Sequence, residues 1–141
     1  MSEKPPFFIF TLPECTDSRG SLFPVELDAQ FPLNPVKRVY FLKNTPAEVA
    51  RGAHCHHIEE EVFVCIAGKC RALIDEDGKG KQEIWLDNAT KAIFVGTKVW
   101  HEFDHFSSDA VLLCFSSTAY MPGTVNYETD YEKFSQPNGS L

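Results

Sequence analysis

The chain has 141 residues, a length that fits one domain with a buried core. Its formal net charge of −7 argues against a nucleic acid partner, because such binding needs a basic face that displaces counterions. The sequence is 43% apolar but has no apolar run near the roughly 20 residues of a membrane span, so it predicts a soluble protein without a membrane partner.

The first six residues and the cysteines indicate the cellular compartment of the protein. Residues 1–6 lack the basic and apolar regions of a secretion signal and its small-residue cleavage site. The five cysteines are an odd number without a Cys-x-x-Cys pair, which argues against a disulfide framework and against a structural zinc site. We therefore expect reduced thiols and a cytoplasmic location.

Short apolar runs separated by turn residues predict an almost entirely β chain. The predicted strands are 7–11, 21–26, 36–42, 52–56, 61–66, 70–75, 82–86, 92–95 and 110–116. Residues 67–69 and 76–80 predict hairpin loops, and weak helical periodicity appears in 127–134. Many short strands are typical of a sandwich or barrel, so we expect one domain over residues 1–134 and a flexible tail over 135–141.

Two histidines separated by one residue lie just ahead of the predicted strand 61–66. In an extended segment alternate side chains share a face, so His54 and His56 would project together while Cys55 points away. In a small barrel the inward side chains of several strands line the interior. We therefore predict that His54, His56 and, from a later strand, His101 face that interior together.

The residues alone leave three interpretations of this cluster. Three neutral imidazoles and a carboxylate could hold a divalent ion such as Fe(II), Mn(II), Ni(II) or Zn(II). Imidazoles could instead transfer protons, since their unperturbed pKa is about 6.5. The third interpretation is a set of histidines with satisfied hydrogen bonds and no function.

The spacing of the cluster resembles the first cupin motif, in the form His54-x-His56-x4-Glu61-x6-Gly68. The segment Gly96-x4-His101 lies where the second cupin motif supplies its histidine. The chain departs from the cupin pattern at three positions, which hold Glu48, Gly96 and His105. The resemblance implies an all-β cupin domain, a double-stranded β-helix or jelly-roll barrel.

Over residues 17–134 the chain also resembles the nucleotide-sugar 3,4-ketoisomerases, small WxcM-like cupins of bacterial sugar pathways. The similar segments are Asp17-Ser18-Arg19-Gly20-Ser21-Leu22, Lys37-Arg38-Val39-Tyr40, Arg51-Gly52-Ala53-His54-Cys55-His56, Val62-Phe63-Val64-Cys65, Val99-Trp100-His101-Glu102, Phe106-Ser107-Ser108-Asp109 and Tyr127-Glu128-Thr129-Asp130-Tyr131. The resemblance implies conversion of a dTDP-linked 4-keto-6-deoxyglucose to its 3-keto isomer by a homodimer, with no metal and no other cofactor. Such a product would serve the synthesis of 3-amino-3,6-dideoxyhexoses of surface glycans.

This reaction sets requirements that the histidines can meet. The C4 ketone acidifies the C3 proton, so a base must remove it, an enediolate must be stabilised and a proton must reach C4. We expect His54 to carry this proton and His56 to move the second proton between the two oxygens. Tyr40 would donate a hydrogen bond to the developing oxyanion.

The remaining predicted site residues would bind the substrate. Arg51 is the expected pyrophosphate ligand because a guanidinium group matches phosphate oxygens, with Arg38 and Arg19 as further candidates. Arg19 could reach the neighbouring site of a dimer. Glu61 would orient a histidine or bind the sugar or base, and His101 would line the sugar end. The branch of the family that pairs an arginine like Arg19 with a histidine like His101 implies the axial C4 hydroxyl of the galacto product.

Two alternative functions stay open on the sequence. The sugar 3,5-epimerases share an Arg-Gly-x-His segment and a dTDP-sugar substrate, but they return the proton to carbon. They are longer proteins whose version of the motif has a single histidine. The other alternative is a metal-dependent cupin, either a dioxygenase or a ligand-binding module, with His54, His56, Glu61 and His101 as the metal ligands.

Overall fold

The computed structural model describes residues 4–136. Its elements, in chain order, are β1 (Phe7–Thr11), β2 (Cys15–Asp17), β3 (Gly20–Leu22), β4 (Arg38–Lys43), β5 (Arg51–His56), β6 (Glu61–Ala67), β7 (Cys70–Asp75), β8 (Gln82–Leu86), β9 (Lys91–Val95), β10 (Trp100–Asp104), β11 (Val111–Ser116), β12 (Tyr127–Glu128) and α1 (Tyr131–Phe134). Within the described residues, no helix is long and apolar enough to span a membrane.

Two five-stranded antiparallel sheets form the body of the protein. One sheet has the order β1-β9-β6-β11-β4, and the other has the order β12-β5-β10-β7-β8. Strands β2 and β3 form a separate hairpin. This arrangement confirms the predicted all-β jelly-roll barrel of the cupin type.

The core lies between the two sheets, where alternate side chains of each strand point inward. In β7 the alternate residues Cys70, Ala72 and Ile74 are completely buried, and the same cluster contains Phe103 of the neighbouring strand β10 and Leu112 of β11 in the other sheet. A second apolar cluster covers the outer face of the first sheet. Strand β6 is therefore buried on both faces, which explains why its sequence is a continuous apolar run.

Most of the predicted strands are present, and the predicted loop at 76–80 does connect the antiparallel pair β7 and β8. The hairpin predicted at 67–69 is wrong, because β6 and β7 belong to different sheets and this turn carries the chain across the barrel. Gly68 adopts a φ of 64° there, and a Cβ atom would lie 2.8 Å from the Cα of Ala110. A tight crossing turn thus has the same glycine signature as a hairpin.

Three further predictions need correction. The strand expected at 21–26 is limited to Gly20–Leu22, the helical periodicity of 127–134 separates into β12 and α1, and the strands β2, β10 and β12 are not among the predicted ones. Strand β2 has only three residues, and β10 and β12 contain aromatic and charged residues in place of an apolar run. The flexible tail expected at 135–141 lies outside the described residues from position 137 onward.

Candidate active site

Three imidazole rings meet inside the barrel. His54 and His56 belong to β5, and His101 belongs to β10, directly opposite His54 in the strand pairing. The ring centre of His54 lies 4.6 Å from that of His56 and 4.8 Å from that of His101. The structure thus brings together the three histidines that were predicted to face the interior.

A β-bulge in β5 decides where Arg51 lies. His101 is opposite His54, but Glu102 is opposite Gly52, so Ala53 is an extra residue in this strand. Ala53 has a φ of 59°, in the left-handed region. Because the bulge shifts the alternation by one residue, Arg51 occupies the same face of the sheet as His54, at the exposed end of the strand.

Glu61 forms the floor of the site and is 1% exposed. Its Oε2 accepts hydrogen bonds from the Tyr40 hydroxyl at 2.7 Å and from the Cys114 thiol at 3.1 Å. Its Oε1 lies 3.4 Å from His56 Nδ1 and 3.4 Å from His101 Nε2. Of the two roles predicted for Glu61, this geometry fits the orientation of the histidines.

The charge of this carboxylate is favoured by its neighbours. Burial alone raises the pKa of Glu61, but the close approach of the His101 and His56 rings and the hydrogen bond from Tyr40 hold that pKa well below its ordinary value. Burial also raises the pKa of the Tyr40 hydroxyl, with the charge of Glu61 adding to the effect. Tyr40 therefore stays protonated and Glu61 stays ionised.

His54 and His56 are held in the neutral form. Burial, together with the neighbouring His101 and His56, lowers the pKa of His54 to about 3, against the opposing charge of Glu61. Burial lowers the pKa of His56 to about 4, although Glu61 again opposes the shift. Both rings are therefore unprotonated near neutral pH, which is the form in which an imidazole serves as a base.

His101 is oriented by its backbone neighbour. Its Nδ1 lies 3.0 Å from the Val99 carbonyl oxygen, which can only accept, so Nδ1 carries the hydrogen. Its Nε2 and Glu61 Oε1 then face each other without a hydrogen bond of good geometry among the described residues. A proton or a cation between these two atoms would satisfy both.

The same atoms form a potential metal donor set. One donor atom from each of His54, His56, Glu61 and His101 lies within 4.8 Å of the others. Three imidazoles and a carboxylate suit a borderline divalent ion. The geometry therefore fits two of the interpretations that the sequence left open.

Arg38 and Arg19 lie in different surroundings. The Arg38 guanidinium donates to Glu59 at 2.9 Å and to the Thr118 carbonyl oxygen at 3.4 Å, beside the histidine cluster. Arg19 lies on the exposed β2–β3 hairpin, where it pairs with Asp17 at 2.6 Å. Within residues 4–136 no recorded contact brings Arg19 to the histidines.

Sequence reasoning missed two residues of the site. The Tyr127 ring centre lies 4.9 Å from that of His54 and 4.7 Å from that of His56, because β12 pairs with β5. Glu59 is completely buried beside His56. Tyr127 falls in a segment that resembles the ketoisomerases and could have been found there, whereas Glu59 follows β5 in a charged run that reads as a solvated loop.

Comparisons with known proteins give consistent results. The model of the family described as "FdtA: WxcM-like, C-terminal" matches residues 7–138. A TDP-4-oxo-6-deoxy-alpha-D-glucose-3,4-oxoisomerase of Aneurinibacillus thermoaerophilus is 41% identical over 120 residues, which cover 85% of this chain and 84% of the relative. A 3,4-ketoisomerase from Helicobacter canadensis has a similar structure, with 31% identity, a TM-score of 0.82, and coverage of 92% of this chain and 94% of its own.

A third similar protein was solved with a nucleotide. It is a double mutant of the QdtA 3,4-ketoisomerase from Thermoanaerobacterium thermosaccharolyticum in complex with TDP. It is 25% identical to this chain, with a TM-score of 0.84 and coverage of 94% of this chain and 93% of its own.

The two lowered histidine pKa values predict that acidification destabilises the protein. Between about pH 6.5 and pH 4 the unfolded chain binds protons at His54 and His56 that the folded protein excludes, so the free energy of unfolding falls as pH falls. Each ring contributes at most about 1.4 kcal/mol per pH unit. Urea unfolding at about pH 7 and about pH 5.5 should show a smaller loss for His54→Asn than for the wild type. Equal losses in both proteins would contradict the buried, neutral His54.

Proposed function

Because the chain belongs to the FdtA family of WxcM-like proteins, we propose that it is a 3,4-ketoisomerase of dTDP-4-keto-6-deoxy-D-glucose. It is an isomerase that moves the keto group of a nucleotide-linked deoxysugar from C4 to C3. The observation that carries this function is the identity of 41% with the named oxoisomerase, over most of both chains. The histidine cluster supplies the groups that the reaction needs.

The epimerase alternative is not favoured by these observations. The named relative and the similar structures above are 3,4-ketoisomerases, and each match covers 84% or more of both chains. The site also contains two histidines on β5, and the second of them contacts Glu61. A second neutral imidazole suits a reaction that moves a proton between oxygens as well as one between carbons.

We assign the carbon proton to His54. Its ring is half-buried at the open side of the cluster, and its lowered pKa keeps it neutral and able to accept the C3 proton. The resulting imidazolium can return the proton to C4 of the enediolate. A positioned acid and base of this kind accounts for about 3 to 5 kcal/mol of the barrier.

His56 and Tyr40 act on the oxygens in this mechanism. His56 takes the proton of the O3 hydroxyl and gives it to the C4 oxygen, and the ionised Glu61, 3.4 Å away, stabilises the imidazolium form between these two steps. Tyr40 donates its hydrogen bond to Glu61. Its predicted role as an oxyanion donor therefore requires the exchange of this bond when the substrate binds.

The nucleotide part of the substrate has a natural contact in Arg51. The bulge at Ala53 brings Arg51 to the exposed end of the face that carries His54. The guanidinium group can donate paired hydrogen bonds to pyrophosphate oxygens. Arg38 also lies beside the cluster, but two of its nitrogens already donate to Glu59 and Thr118.

The exposed β2–β3 hairpin is a candidate contact surface for a second copy of the chain. The six residues of β2 and β3 are all exposed, and a cavity of about 420 Å³ is lined by residues of this hairpin. An isolated two-stranded hairpin is marginally stable in water, so a partner surface would stabilise it. We propose a homodimer in which this hairpin, with Arg19, lies against the neighbouring subunit.

The finer details of the pathway follow from the same assignment. Arg19 and His101 are the pair from which we infer an axial C4 hydroxyl, the galacto product. A 3-keto sugar is the substrate that a transaminase needs to make a 3-amino-3,6-dideoxyhexose for a surface glycan.

The five cysteines are free thiols, which supports our placement of the enzyme in the cytoplasm.

Replacement of His54 tests the assignment of the base. His54→Asn should lower kcat by about 10²- to 10⁴-fold, because asparagine cannot accept the C3 proton. Affinity for TDP should stay close to that of the wild type, since the nucleotide contacts are elsewhere. The assay follows the sugar by NMR, and the H4 coupling constants of the product report its C4 configuration. A fully active variant would remove His54 from the catalytic role.

Replacement of Arg51 tests the phosphate contact. Arg51→Ala should weaken TDP binding by about 10-fold or more, because a charged hydrogen bond contributes about 1.5 to 3 kcal/mol. Isothermal titration calorimetry measures the affinity, and Lys43→Ala, at the exposed end of β4 in the other sheet, is the control for a general loss of positive charge. Unchanged affinity in Arg51→Ala would show that another group holds the phosphates.

The metal interpretation has a direct test. We propose that the reaction needs no metal, because proton transfer by neutral imidazoles is sufficient for it. Protein dialysed against a chelator should keep its isomerase activity, and added Zn²⁺ or Mn²⁺ should not raise it. Activity that disappears with the chelator and returns with one ion would instead make His54, His56, Glu61 and His101 metal ligands.

A further inference from the structure

We propose that Glu59 is a positioning residue, which holds the His56 ring in place for proton transfer. The proposal rests on the isomerase function proposed above. Glu59 is one of three consecutive glutamates, Glu59 to Glu61, and a run of this kind on a loop is usually solvated. In this protein its side chain is completely buried.

Three donors hold the Glu59 carboxylate in the interior. Its Oε2 accepts hydrogen bonds from Arg38 Nη2 at 2.9 Å and from the Ser116 hydroxyl at 2.6 Å. Its Oε1 accepts a hydrogen bond from Asn126 Nδ2 at 2.9 Å. These donors come from β4, from β11 and from the segment before β12, so the carboxylate connects three parts of the barrel.

The fourth neighbour of Glu59 is a proposed catalytic ring. His56 Nε2 lies 3.6 Å from Glu59 Oε1, while His56 Nδ1 lies 3.4 Å from Glu61 Oε1. Both ring nitrogens of His56 therefore face a buried carboxylate oxygen at distances longer than a typical hydrogen bond, which leaves Nε2 able to contact the substrate hydroxyl. Since each carboxylate is itself fixed by other donors, the ring has little freedom to rotate or shift.

The hydrogen bonds of Glu59 also fix Asn126, the residue that precedes Tyr127. The Asn126 side-chain oxygen accepts from the Ile58 amide at 3.3 Å, and its carbonyl oxygen accepts from the His57 amide at 2.7 Å. The next residue is Tyr127, whose ring lies against His56. By holding Asn126, Glu59 holds the segment that places Tyr127.

A buried carboxylate is a costly way to stabilise a barrel, because an ionised group loses its hydration. Burial and the charge of Glu61 both raise the pKa of Glu59, which reflects this cost. The neighbouring Glu60 shows the ordinary case, since it is partly exposed and pairs with Lys4 at 3.3 Å. The position of Glu59 beside His56 therefore points to a role in the reaction rather than in stability.

The Glu59→Gln variant tests this role. In either orientation of the new amide, its NH₂ group meets a donor, either Asn126 or the pair Arg38 and Ser116, so the network can no longer hold His56. We expect kcat to fall by up to about 100-fold, the loss expected when a reacting group shifts by about 1 Å, with TDP affinity within about 2-fold of the wild type. The control Glu60→Gln should keep wild-type kcat.

A second variant separates positioning from folding. Glu59→Gln combined with Asn126→Asp exchanges the two groups, so that the new amide donates to the new carboxylate and a buried negative charge remains. We expect this double variant to recover the melting temperature lost in Glu59→Gln but not kcat, because the carboxylate no longer faces His56. Where Glu59→Gln alone does not fold, kcat of the double variant is compared with that of the wild type.

Two results would overturn the proposal. One is wild-type kcat in Glu59→Gln, and the other is recovery of kcat together with stability in the double variant, which would show a structural role only. Wild-type protein without isomerase activity would instead contradict the proposed function. The two failures are therefore distinguishable in one set of assays.

Discussion

The buried carboxylate of Glu61 is the interaction on which the rest of the site depends. One of its oxygens accepts from Tyr40 and Cys114, and the other faces His56 and His101. These groups come from four different strands, so a single anion sets the relative positions of the side chains around it. An anion without such partners would be too costly to keep in the barrel interior. The donors that surround it therefore stabilise the anion and are positioned by it.

This arrangement explains how a rigid β-barrel can carry out proton transfer. The walls of the barrel remove water from the histidine rings, and the loss of hydration keeps His54 and His56 neutral. Glu61 then stabilises whichever ring becomes positive during the reaction. Because the strands fix the rings before the substrate arrives, little reorganisation is needed at the moment of proton transfer.

Much of this site follows from period-two alternation in the sequence. Alternation places His54 and His56 on one face, and it brings His101 to them from β10. The position of Arg51 could not be predicted in this way, because strict alternation puts residues three positions apart on opposite faces. Only the bulge at Ala53 reverses this relation, and the left-handed conformation of an alanine leaves no clear signal in the sequence.

Long-range pairing explains what else the sequence did not reveal. Glu59 is buried because Arg38, Ser116 and Asn126 reach it from distant parts of the chain, and none of these pairings has a local signature. The turn at Gly68 has the composition of a hairpin loop, but the connection crosses between sheets because β6 pairs with β9 and β11. Local patterns predict strands and faces, whereas their partners depend on how the barrel closes.

The central claim is that His-mediated proton transfer carries the keto group from C4 to C3. The most direct measurement is an incubation of the wild-type protein with dTDP-4-keto-6-deoxy-D-glucose in deuterated water, followed by NMR of the sugar. The account predicts a 3-keto product whose C4 carries the hydrogen that left C3, replaced by deuterium to the extent that the His54 imidazolium exchanges its proton with the solvent. An unchanged substrate without deuterium, or deuterium returned to C3 with no keto transfer, would contradict it.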